Sequence, residues 1–154
     1  MFSVLWFAKL DSDAKAPTRN HDIDAGVDFY ALGDYIVHPH SIKLVRSGIT
    51  LRIPEGYMGL AKPKGKNNHL LGAGVIDAGY QGEMVFKIHN VINEDIVIRH
   101  HDPIGQVVFL PIVTPELVET NSEIIHKHKS ERGSSGGIHT PEPEPVEPDY
   151  ITTG

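Results

Sequence analysis

A chain of 154 residues, 40% of them hydrophobic, can bury one core but is short for two ordinary domains. Its formal charge of −6 gathers at the end, since Glu142, Glu144, Glu147 and Asp149 leave residues 1 to 140 at −2, and a near-neutral body lacks the basic footprint of a nucleic-acid binder. The absence of cysteine excludes disulfides, thiolate zinc sites and cysteine nucleophiles, and makes an intracellular, cytoplasmic location the expectation.

Helical periodicity is hard to find, whereas β-branched and aromatic runs of strand length recur between Gly, Pro, Asn and Asp. The opening MFSVLWFAKL has neither a basic leading segment nor a small-residue cleavage site, and it is shorter than the ~20 residues of a membrane span. VLWFAKL (4 to 10) therefore reads as a first strand, and no membrane partner is expected. DFYAL (28 to 32) follows, then SIKLVRSGITLRI (41 to 53), expected to bend or split near Gly48, then YMGLAK (57 to 62). In EMVFKIHN (83 to 90), Met84, Phe86 and Ile88 alternate with Val85, Lys87 and His89, the pattern of a strand with one face toward a core. DIVIRH (95 to 100) and QVVFLPIV (106 to 113) complete an all-β set. Turns at this spacing favour a sandwich, barrel or jelly roll over a βαβ arrangement.

After about residue 114 the pattern weakens. HKHKSERGSSGGIHT (126 to 140) has no apolar face to bury, and PEPEPVEPDYITTG alternates proline with acid, a composition that favours extended polyproline II over a core. The expected organisation is a β domain over 1–125, a flexible glycine-rich C-terminal arm over 126–140 and a disordered acidic proline-rich tail over 141–154.

Five stretches carry the candidate chemistry: DAGVDFYAL (24 to 32), PEGYMGLAKPKG (54 to 65), GAGVIDAGYQGE (72 to 83), DPIGQVVFLPI (102 to 112) and ERGSSGG (131 to 137). Taken singly, each has a plain reading. Asp28 can end a strand and Asp77 can cap a turn with Tyr80 in the core; Gln106 can face solvent from a strand; PKGKNN can be a solvated basic turn; Arg132 can lie in a linker. KGKNN is no P-loop, because no glycine precedes it at the required spacing and no Ser or Thr follows. The histidine pairs HPH, HH and HKH lack the cysteines and nearby acids of a zinc site.

Together and in this order, the five stretches resemble the motifs of the trimeric deoxyuridine triphosphatase (dUTPase) family, over roughly residues 4 to 140. The resemblance implies a jelly-roll-like β-clip fold, a homotrimer, and hydrolysis of dUTP to dUMP and pyrophosphate with Mg2+. It implies that residues 72 to 80, with Gly74, Val75 and Ile76 among them, form a β-hairpin whose backbone reads the uracil edge. Asp77 would orient water for in-line attack on the α-phosphorus, a role suited to a carboxylate ionised at neutral pH. Tyr80 would pack on the deoxyribose and exclude a 2′-hydroxyl. Asp28 would hold the magnesium through water, which is chemically sufficient because this ion keeps several waters and prefers substrate phosphates plus one carboxylate. Gln106 would hydrogen-bond the phosphates, and Arg132 would clamp the γ-phosphate. Each active site would combine three chains, with the third motif, the phosphate-binding motifs and the arm coming from different subunits.

The chain departs from the family pattern at three places. Pro63-Lys64-Gly65-Lys66 replaces the usual Pro-Arg-Ser-Gly, so Lys64 keeps a charge near the phosphates without a planar fork, Gly65 lacks the hydroxyl, and Lys66 can act as an additional point charge. Pro103 stands where the fourth motif commonly has an arginine. Ile138 and His139 follow the glycines where an aromatic ring usually stacks on uracil. These departures keep two alternatives open: a dUTPase-fold regulator that binds a nucleotide or protein with weak or no catalysis, and a dCTP deaminase-type enzyme, whose own catalytic acid and arginine-serine set is not found.

Overall fold

Alternation in the chain is carried directly into burial. Met84, Phe86 and Ile88 point into the core while Val85 and Lys87 face outward, as period-two geometry dictates. The structure is a computed structural model that describes residues 2–72, 74–135, 137–138 and 141–145. Ten strands follow in chain order: β1 (Trp6–Lys9), β2 (Val27–Tyr30), β3 (Tyr35–Val37), β4 (Ile42–Arg52), β5 (Tyr57–Lys62), β6 (Leu70–Leu71), β7 (Gly74–Ile76), β8 (Glu83–His89), β9 (Ile96–Ile98) and β10 (Pro103–Pro111). One sheet has the order β1-β4-β8-β6, a second β2-β10-β5-β7, and β3 pairs with β9. All pairings are antiparallel.

The sheets meet over one core. Val45 and Ile49 of β4 and Phe86 and Ile88 of β8 pack with Phe29 of β2 and Ile104 and Val107 of β10, and the Phe29 and Phe86 rings lie 5.5 Å apart. The bend expected at Gly48 is present. Register with β8 shifts between Arg46 and Thr50, and Gly48 has φ +69°. A Cβ there would lie 2.8 Å from that of Ala14, so both backbone and space require glycine. Glu83 secures the bulge by accepting from the Gly48 N–H at 2.7 Å and from Arg46 Nε at 3.1 and 3.2 Å.

His69 ties the segment before β6 to β10. It is 5% exposed, and its Nε2–H donates to the Ile104 carbonyl at 3.1 Å. Burial holds its imidazole pKa below the ordinary 6.5, an effect that this hydrogen bond only partly offsets. Below pH 6.5 the unfolded chain therefore takes up a proton that the folded chain refuses. His69 costs no stability above that pH, and stability falls as the pH drops toward the folded pKa, by up to about 1.4 kcal/mol per unit. Denaturant midpoints at about pH 7.5 and about pH 5.5 are expected to differ less in His69→Gln, whose amide can donate without titrating.

The chain divides into two compact units between Pro115 and Glu116. The second unit contains the short helix α1 (Ser122–Ile125), capped by Asn121, whose side chain accepts from the Ile124 N–H at 3.0 Å. None of the helical residues is buried. Among the described residues, no helix is long and apolar enough to cross a membrane.

Candidate active site

β10 lies between β2 and β5, and this order assembles the first cluster of candidate residues. Gln106 is in register with Asp28 on one side and with Lys62 on the other. All four residues of β2 are buried: Phe29 faces the core, and the segment before β2 pairs along the edge that β10 leaves open. There Thr18 and Asp28 exchange both backbone hydrogen bonds, and Thr18 Oγ1 shares a hydrogen bond with the Tyr30 hydroxyl. Asp28 is consequently a buried carboxylate, and the Lys64 ammonium forms an ion pair with its Oδ2.

The loop after β5 delivers Lys64. Its N–H donates to Asn67 Oδ1 at 3.1 Å, the Asn67 N–H donates to its carbonyl at 2.9 Å, and Asn67 Nδ2 reaches the Pro103 carbonyl at 3.3 Å. Gln106 Nε2 donates to the Pro63 carbonyl at 3.1 Å. Gly26 makes this placement possible, since a Cβ there would lie 2.0 Å from Gln106 Oε1. Asp28, Lys64, Gly65, Lys66 and Gln106 thus line one cleft of about 590 Å³, together with Asn20 and Asp24.

The second cluster is built by β7 and the turn after it. β7 pairs with β5, and the Asp77 carbonyl then accepts from the Tyr80 N–H at 3.0 Å, closing a β-turn. Gly74, Val75, Ile76, Asp77 and Tyr80 line a cleft of about 220 Å³ with Val85 and Phe86. Asp77 is exposed. Tyr80 is half-exposed, and its hydroxyl donates to the Glu83 carbonyl at 2.7 Å, so its ring stands at the cleft and not in the core. The acid at this turn faces solvent because the turn is closed by backbone groups. The two clefts have no residue in common.

The model of the family described as dUTPase matches residues 12–137. The chain belongs to the dUTPase family. The deoxyuridine 5′-triphosphate nucleotidohydrolase of Mycobacterium sp. (strain JLS) is 37% identical over 129 residues, covering 79% of this chain and 84% of that protein. The structure of the Staphylococcus bacteriophage 80alpha dUTPase with dUpNHpp is 28% identical at a TM-score of 0.77, covering 88% of this chain and 96% of that one. A mutant dUTPase from phage phi11 of S. aureus, whose structure concerns the coordination of a structural Mg(II) ion, is 26% identical at a TM-score of 0.71, covering 77% and 97%.

In this member of the family, four residues of the first cleft or its walls carry no role in the sequence reading: Asn20, Asp24, Gly26 and Asn67. Gly26 was legible only as part of DAGVD, since the neighbour that demands a glycine lies 80 positions away at Gln106. The donors around Asp28 suit a hard cation, because Asn20, Asp24 and Gln106 all offer side-chain oxygens. Among the described residues, no group of three acids or histidines could enclose a metal. Arg132 lies in the second unit, in a turn where its Nε donates to the Ser135 carbonyl at 3.1 Å. Ile138 is 99% exposed, and His139 lies outside the described residues.

Proposed function

We propose that this dUTPase-family chain hydrolyses dUTP to dUMP and pyrophosphate. The observation that carries the reading is the separation of the candidate residues into two clefts. One holds the groups suited to phosphates and a cation, Asp28, Lys64, Lys66 and Gln106, and the other holds Asp77 and Tyr80 beside the open backbone of β7. A homotrimer would bring the nucleoside cleft of one subunit against the phosphate cleft of another, with Arg132, Ile138 and His139 supplied by a third. An outward sheet face bearing Ile42, Leu44, Leu70 and Val85, all at least 43% exposed, supports such burial between copies.

In this reading the backbone groups of Gly74, Val75 and Ile76 meet the uracil edge, Tyr80 covers the sugar, and Asp77 accepts the proton of the attacking water. Lys64 and Lys66 stabilise charge on the transferring phosphates, with Gly65 leaving the loop open. Asp28, through water, and Gln106 would hold Mg2+ and its phosphates, and the bound ion would neutralise developing negative charge. The dUpNHpp complex of the phage 80alpha relative supports a nucleotide site in this fold.

The test is to incubate the pure protein with each deoxynucleoside triphosphate and magnesium and assay pyrophosphate and ammonia. Pyrophosphate from dUTP alone is expected. Binding without turnover would instead support the regulatory reading, which the altered second, fourth and fifth motifs favour, and ammonia from dCTP the deaminase reading. Within the first reading, Lys64→Ala is expected to lower kcat by roughly tenfold or more and leave dUMP affinity nearly unchanged, because dUMP lacks the β- and γ-phosphates that the ammonium serves. Isothermal titration with dUMP and steady-state rates with dUTP separate the two effects.

A further inference from the structure

The pairing of Lys64 with Asp28 has a consequence for the order in which ligands bind. We infer that Lys64 occupies the place of the metal: in the nucleotide-free protein its ammonium holds the carboxylate that magnesium needs, so the divalent ion enters only with phosphates that draw Lys64 away. This rests on the reading of Asp28 as the metal carboxylate. The Asp28 side chain is 8% exposed and that of Lys64 20%, and a carboxylate this buried requires a compensating cation. The Asp28 backbone is held by Thr18 on one edge and Gln106 on the other, so the cation comes to the carboxylate.

The loop backbone is also held, through Pro63 by Gln106 and through Lys64 by Asn67. Freedom is left mainly in the lysine stem, whose four carbons carry a compact point charge. The ammonium on Oδ2 takes the position from which a metal-bound water would donate to Asp28, and the two cations repel within one cleft, so each displaces the other. A triphosphate resolves the competition by offering Lys64 other anionic oxygens in the same cleft while carrying the metal with it. Nucleotide and metal therefore strengthen each other's binding, with the same factor in each direction. The lysine where the family pattern has arginine suits this exchange, since it carries no rigid fork to unlock.

Mn2+, a paramagnetic substitute for magnesium, reads the effect directly. Free Mn2+ is measured by electron paramagnetic resonance during titration of the nucleotide-free wild type, Lys64→Met and Asp28→Asn/Lys64→Met, with Lys64→Gln as a second neutral variant should methionine impair folding. Lys64→Met is expected to bind Mn2+ about tenfold tighter or more than wild type, and the gain is expected to vanish in the double variant. Its melting temperature is expected to rise with Mn2+ while that of the wild type does not. Equal Mn2+ affinity in wild type and both neutral variants would overturn the inference, as would a gain that survives loss of Asp28. Titrations repeated with an α,β-imido analogue of dUTP distinguish the two failures. If analogue-dependent Mn2+ binding needs Asp28 while Lys64→Met shows no gain, the metal reading stands and the exchange fails; if it is indifferent to Asp28→Asn, both fail.

Discussion

Asp77→Asn is expected to lower dUTP hydrolysis by roughly 10²- to 10⁴-fold, the usual contribution of a general base, while dUMP affinity and melting temperature stay close to wild type. The amide is nearly isosteric with the carboxylate but cannot take a proton from water. Fold and binding should survive because the turn depends on the Asp77 carbonyl, which accepts from the Tyr80 N–H, and the side chain is exposed. Steady-state rates, dUMP titration and thermal melting of the one variant decide the matter. Retention of more than about 10% of the wild-type rate would remove Asp77 as the base.

Much of the fold was legible because several strands are long enough to show a period. YMGLAK gave residues 57 to 62, the bounds of β5, and EMVFKIHN gave the core face of β8. β3, β6 and β7 span only three, two and three residues, too few for alternation to stand out, and tertiary contacts define them. β10 starts at Pro103, earlier than the expected Gln106, because a proline is tolerated at the first position of a strand where no ladder N–H is required.

The site was legible as residue types and not as geometry. Gln106, read as a phosphate ligand, also donates from its amide N–H to the Pro63 carbonyl. Asp28, read as the carboxylate of a hydrated metal, pairs with Lys64. Both partners lie more than 30 positions away, and no local spacing rule reaches that far. The pairing of β10 with both β2 and β5 converts three separate stretches into one cleft.

The arm offers the second large effect. Ending the chain after Lys129 removes Arg132 and the glycine run, and the rate is expected to fall by about 10²-fold or more, because in the proposed reading the arm folds over the nucleotide, excludes water and orients the γ-phosphate. Melting temperature and oligomeric state should barely change. The residues lost include an exposed turn in which Ser135 Oγ donates to the Arg132 carbonyl at 2.7 Å and Gly133 adopts φ +54°, and the fully exposed Ile138; none of the described ones contributes to the core. Ending the chain after Thr140 instead removes only the acidic proline tail, and hydrolysis is expected to persist. Rates, melting curves and light scattering of the two truncations form one test. If both remain fully active, Arg132 and its neighbours have no part in catalysis; if both are inactive with unchanged melting, the proline-rich tail itself acts in the reaction, because loss of folding has been excluded.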